Sequence, residues 1–278
     1  MQPGALATDD EEVSIRWPQD RRVLVATTAL VVVALAVGWQ VRPSGPDPAS
    51  AVTALEPQGQ PPSYVVLVPG YGGSADSVKV LATALVAAGH PVMTLPLPGD
   101  GTGDIAAMAP ALNEAVSHAG AGVPVDVVGF SMGGLVVRTW ARDLGGASRA
   151  RRIVTVGTPN AGTETAELGA TIGACPTACQ EMVPGSALLD RLNSGDPTPD
   201  GPAWITVRSS SDEVVRPDST TELDGASNVL LQSVCPDVSV AHSDLVKAAL
   251  PVAIVVRAVS QQPWVPPTAD ECTALRSG

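Results

Sequence analysis

The pentapeptide Gly129-Phe130-Ser131-Met132-Gly133 constrains this chain more than any other stretch. It reads G-x-S-x-G. The short apolar run 123–128 before it predicts a buried strand, and residues 134–142 after it have helical composition. Strand, tight turn and helix together make a nucleophile elbow. The turn forces the serine into a strained backbone geometry, and the glycines leave room for it. Its hydroxyl then stands at a helix N-terminus, where backbone N–H groups and the helix dipole favour developing negative charge. The plainer alternative is a glycine-rich turn with an exposed serine; the strand before it and the helix after it favour the elbow.

The rest of the chain repeats that alternation. Strands are predicted at 64–68, 91–95, 153–157, 203–207 and 228–232, with helices near 77–88, 104–118 and 244–250, the last leading into the apolar run 254–256. The strands are apolar on both faces, as in a mostly parallel sheet covered by helices on both sides. The fold class is therefore α/β. Such sheets place their sites at the carboxyl ends of the strands. Pro69-Gly70, Ser131, Thr158-Pro159 and the loop 209–212 all fall there. Aromatic residues are only 3% of the 278, so the core is aliphatic. A formal net charge of −12 argues against nucleic acid as a partner.

A serine hydroxyl needs a base, and histidine titrates near neutral pH. The chain has three. His90 lies in a turn before a strand and reads as solvated; His118 lies at a helix end, where an imidazolium suits the dipole. His242 lies in a late loop just before a helix and is the candidate base. The acid that orients it should follow a strand. Asp212 does so, 81 positions after Ser131 and 30 before His242. Glu213, Asp218, Asp224 and Asp237 are rivals. An oxyanion hole needs two backbone N–H donors. Met132 follows the nucleophile, and Tyr71 lies in the glycine-rich loop after the first strand. That loop lacks the lysine and the spacing of a phosphate-binding loop.

Residues 23–39 carry no charge and are bounded by Arg21, Arg22 and Arg42. The stretch is at the lower limit for a spanning helix. The basic flank favours a membrane anchor with the N-terminus inside; a cleaved signal peptide and a twin-arginine export signal are the alternatives. All three place the main domain outside the cytoplasm. The division expected is a tail at 1–22, the apolar segment at 23–39, a Pro-rich linker at 40–62, a catalytic domain at 63–260 and a C-terminal tail at 261–278. Four cysteines in an exported chain suggest disulfides. Three pairings are possible; proximity favours Cys175 with Cys179 and Cys235 with Cys272, the latter tying down the tail.

From about residue 64 to 256 the chain resembles the small, nearly lidless bacterial lipases of the α/β-hydrolase superfamily, in particular secreted actinobacterial esterases and lipases of the lipase class 2 type. The segments that carry the resemblance are VVLVPGYGG, LPGDGTGDI, VDVVGFSMGGLVVR, VTVGTPNAGT, RSSSDEVVRP, LDGASNV and VAHSDLV, in that order. It implies an α/β-hydrolase fold with a minimal lid, Ser131 as nucleophile, Asp212 as acid, His242 as base, and Tyr71 and Met132 as oxyanion donors. Two positions depart from the pattern. Pro69-Gly70 stands where the family has His-Gly, and Phe130 stands where it has a histidine before the nucleophile. Residues 163–202 read as a rim or short cap.

The function these residues imply is an exported hydrolase of carboxylic esters working through an acyl-enzyme. A thioesterase or an acyltransferase would use the same residues, and a non-catalytic surface protein with this fold is the alternative of another class. The expected substrate is a small-molecule or lipid ester, with the membrane reached through the N-terminal segment and the chain a monomer. The mechanism requires no cofactor and no metal.

Overall fold

Six parallel strands are built from the apolar runs. In the computed structural model, which describes residues 62–120 and 122–277, they are β1 (Tyr64–Val68), β2 (Val92–Thr94), β3 (Val125–Phe130), β4 (Arg152–Val156), β5 (Ala203–Arg208) and β6 (Ser227–Leu230). Their order across the sheet is β2-β1-β3-β4-β5-β6. The direction of winding reverses between β1 and β3, which opens a crevice at their carboxyl ends. Register brings Val68 beside Gly129, and Phe130 beside Val156. The two loops that flank Ser131 therefore leave the sheet at one level.

Alternate side chains of each strand enter opposite layers, as the two-residue period requires. Val66, Val68, Val127 and Ile153 pack with Leu112 of α2 (Ile105–Ser117) and Leu135 and Trp140 of α3 (Met132–Asp143). Val65, Leu67, Val128 and Val154 pack with Leu81 and Leu85 of α1 (Lys79–Ala87) and Ile254 and Val255 of α8 (Ala249–Ser260). Between β4 and β5 the chain makes three short helices, α4 (Glu164–Thr171), α5 (Thr177–Glu181) and α6 (Ala187–Asn193). This is the segment expected as a rim.

Two predicted elements shift. The expected strand at 228–232 stops at Leu230, and α7 (Leu231–Val234) begins there. The expected helix at 244–250 is a 3₁₀ turn at His242–Asp244, and the apolar run 254–256 lies inside α8 instead. Pro251 is the third residue of α8, within the first turn, where a missing N–H leaves no intrahelical bond unmade. Both cysteine pairs favoured by proximity form bridges, Cys175–Cys179 and Cys235–Cys272. The second ties α9 (Cys272–Ser277) to the end of α7. Among the described residues, no helix is long and apolar enough to cross a membrane. The apolar segment 23–39 lies outside them.

Candidate active site

Ser131 sits between β3 and α3 with φ 52° and ψ −129°, and among the described residues it is the only one other than glycine with positive φ. Such a conformation costs of order 1–3 kcal/mol and persists only where its surroundings enforce it. Here they do. The Ser131 N–H donates to Val156 O at 2.8 Å, and the Thr158 hydroxyl donates to Ser131 O at 2.9 Å. The glycines permit the turn. A Cβ on Gly129 would lie 2.6 Å from Gly134 Cα, and one on Gly133 would overlap the carbonyls of Val68 and Pro69. Helix α3 can cross β1 and β3 this closely only without those side chains.

The loop after β5 supplies Asp212 and the loop after α7 supplies His242. Asp212 Oδ1 accepts the backbone N–H groups of Val214 and Val215, each at 2.8 Å. Oδ2 faces His242 Nδ1 at 2.7 Å, and His242 Nε2 faces Ser131 Oγ at 2.9 Å. A carboxylate only accepts, so Nδ1 carries the proton and Nε2 is left to accept from the serine hydroxyl. All three side chains are buried. Phe130 supports the imidazole, with ring centroids 5.1 Å apart and planes tilted by 31°. Gly157 leaves space on that ring, since a Cβ there would come within 3.3 Å of His242 Cε1.

Tyr71 follows β1 and Met132 opens α3. Among the described residues neither backbone N–H has a hydrogen-bond partner. The Met132 amide is one of the donors a helix start leaves free. Tyr71 and Ser131 line one cavity of about 300 Å³, closed by Pro159, Thr163, Met182 and Val215 among others. No charged side chain lines it. Among the described residues no cluster of three or more His, Cys, Asp or Glu is placed to hold a metal.

The rivals are occupied elsewhere. Asp218 pairs with Arg208, and Asp237 pairs with Arg276 at 2.9 Å on the surface. Asp224 is exposed. Glu213 is close but differently used: its carboxylate accepts the backbone N–H of His242 at 3.0 Å. His118 is exposed, with Nδ1 2.9 Å from Glu114 O. His90 is not the solvated turn residue its sequence suggests. It is buried and bonded to Ser63 and Ser260 at the opposite edge of the sheet.

Two supports escaped the sequence reading. Gln232 bridges the loops that carry Asp212 and His242: its amide accepts from Ser210 N at 3.0 Å and donates to Val238 O at 3.1 Å. Arg138 of α3 is buried without a carboxylate partner, and burial, then the neighbouring Arg142, push its guanidinium down to about 10, so it stays charged at neutral pH. It donates to the carbonyls of Asn160 at 3.3 Å and Leu192 at 2.8 Å, joining the loop after β4 to α6. An arginine two turns into the helix that starts at Ser131 was the only signal available for it.

Residues 64–172 match the family model described as alpha/beta hydrolase fold. This chain has the α/β-hydrolase fold. No curated protein matches it at a significant level. Solved structures share the α/β-hydrolase architecture at low identity. Lipase B of Aspergillus fumigatus is 19% identical with a TM-score of 0.66, over 78% of this chain and 57% of that one. This chain thus spans little more than half of that enzyme's length. The mature lipase BlEst2 of Bacillus licheniformis is 16% identical with a TM-score of 0.58, over 78% of this chain and 95% of that one. Phospholipase PlaB of Legionella pneumophila is 15% identical with a TM-score of 0.55, over 77% and 62%. At such identities these likenesses establish the α/β-hydrolase fold alone.

Proposed function

We propose that this chain is an exported serine hydrolase of carboxylic esters. The observation that carries the reading is the continuous hydrogen-bonded line from Asp212 through His242 to a strained Ser131, opening on an uncharged cavity. In the reaction, Ser131 Oγ attacks the ester carbonyl carbon as His242 Nε2 takes the hydroxyl proton. The carbonyl oxygen becomes an oxyanion, for which the N–H groups of Tyr71 and Met132 are the donors. Collapse breaks the bond to the leaving oxygen, which receives the proton from His242. Water then attacks the acyl-serine, giving its proton to His242, and the second collapse frees the acid and returns the proton to Ser131. Asp212 holds Nδ1–H throughout, so Nε2 stays the accepting nitrogen.

Both bridges, which together use every cysteine, support an oxidising compartment for the domain. The apolar segment 23–39 supports export and, in this reading, anchors the chain. A fluorophosphonate probe tests the proposal directly. It should label Ser131 in the folded chain, and the wild type should hydrolyse p-nitrophenyl esters. Folded protein that takes up no probe would leave the fold without this chemistry.

A further inference from the structure

The cavity before Ser131 has a neighbour. A second cavity of about 480 Å³, an open surface cleft, is lined by Ala170, Gly173, Cys175, Gln180 and Val183, among others, of which only Cys175 is buried. The linings interleave along the chain. Gly169, Ala174, Cys179 and Met182 face the first cavity, while Ala170, Gly173, Cys175 and Val183 face the second. One layer of α4, its following turn and α5 therefore separates them. The Cys175–Cys179 bridge has one end in each lining.

The rest of that layer is thin. Gly169, Ala170, Gly173 and Ala174 have almost no side chain to fill a gap. The bridge lies directly on α4: its sulfurs are 3.6 and 3.9 Å from Ala166 O, and a Cβ on Gly169 would meet Cys179 Sγ at 3.4 Å. It also spans a separation of only 4 residues, against 37 for Cys235–Cys272. A loop that short constrains the unfolded chain least, so local geometry is the larger part of what this bridge supplies.

We propose that the Cys175–Cys179 bridge is the partition that limits the acyl group, confining it to the chamber beside Ser131. This rests on the ester-hydrolase reading and deepens it. The chamber is at the small end of ligand cavities and carries no charge. The substrates it fits are esters of short, uncharged acyl groups. With the bridge gone, the chamber opens into that cleft, and a longer chain can lie along it with part of its methylenes out of water.

The test is a series of p-nitrophenyl esters from acetate to palmitate, run on the full chain, on Cys175→Ala/Cys179→Ala and on Gly169→Leu. The quantity read is the ratio of kcat/KM for dodecanoate to that for butyrate. Each extra buried methylene contributes about fourfold, so the double variant should raise the ratio about tenfold or more. Gly169→Leu fills the chamber and should lower it. An unchanged ratio in Gly169→Leu overturns the proposal whatever the double variant does. So does an unchanged ratio in a double variant that melts cooperatively and takes up fluorophosphonate. Absence of probe labelling and of turnover in the wild type is a different result, because it removes the hydrolase reading itself and the partition with it.

Discussion

The sheet carries a serine, a histidine and an aspartate at each of its two edges, and only one of the sets lines up as carboxylate, imidazole and serine hydroxyl. At the carboxyl edge, Ser131 faces His242 and His242 faces Asp212. At the amino edge, Ser63 precedes β1, His90 precedes β2 and Asp126 lies in β3, five residues and about 16 Å along the chain from Ser131. There the Ser63 hydroxyl donates to Asp126 Oδ2 at 2.6 Å, so its proton goes to the carboxylate and not to an imidazole. His90 Nδ1 lies 3.1 Å from the Ser63 carbonyl, which can only accept; Nδ1 is thus the protonated nitrogen. Its Nε2 meets Ser260 at 2.9 Å. Arg151 closes the set, donating to Asp126 Oδ1 at 2.9 Å and to Val259 O at 2.6 Å. The amino-edge set ties the ends of β1, β3 and α8 together. Residue types alone do not make a nucleophile; the order of donors and acceptors does.

Substitutions at the paired positions should separate the two sets. Ser131→Ala should lower kcat/KM on a p-nitrophenyl ester by at least about 10⁴-fold, with the melting temperature nearly unchanged. Ser63→Ala should do the reverse, costing roughly 1–3 kcal/mol for the unsatisfied buried groups it leaves while the folded enzyme keeps its turnover. Comparable loss of activity in both would break the distinction. Asp212→Asn comes next, at about 10⁴-fold in kcat. The amide oxygen can still accept from Val214 and Val215, but its NH₂ would donate to Nδ1 and move the imidazole proton to Nε2. Asp126→Asn leaves Arg151 without its counter-charge, a loss of about 3–5 kcal/mol for a buried pair. Asp126 is fully buried and the Arg151 side chain 20% exposed, which favours the lower value. Thermal melts beside single-substrate kinetics read both variants.

The carboxyl edge was legible because its logic is local. Each of Ser131, Asp212 and Tyr71 follows an apolar run by one to a few residues, and a run of Val and Ile ending in a polar loop identifies a buried strand and its end together. The amino edge was not. Ser63, Ser260 and Asp126 are separated from His90 by 27, 170 and 36 positions, and nothing near His90 in sequence announces that it is buried. Asp126, a carboxylate inside the apolar run VDVVGF, is the one local sign of a buried partner, and the reading of that run as a plain buried strand passes over it. The strand at 228–232 ends early, and the run 254–256, left unassigned from sequence, is helical, for one reason: a few apolar residues have no period by which to tell strand from helix. Glu213 shows the limit at the site itself. It neighbours Asp212, yet its task is the backbone N–H of His242, which only the folded loop defines.

Asp126 and Asp212 are buried carboxylates with full sets of partners, and Glu181, half-buried with a single hydrogen bond to its carboxylate, sharpens the contrast. Its Oε2 accepts the N–H of Ile105 at the start of α2 at 2.8 Å. Burial outweighs that bond and raises its pKa, with Asp104 nearby adding to the rise and Arg191 opposing it. A carboxyl whose pKa is raised by folding favours the native state most when protonated. Its contribution is present below the unfolded value, near 4.5, and is lost as pH rises through the higher folded value. Glu181→Gln keeps an acceptor for Ile105 and removes the charge. It should therefore match the wild type at pH 4 and exceed it at pH 7.5, where Asp126→Asn loses stability. Glu181 is well solvated on one side, so screening holds the gain to about 1–2 °C in Tm. Melts of both proteins across that range decide it: a difference that does not grow with pH would mean that the carboxylate is as well served here as its two buried counterparts.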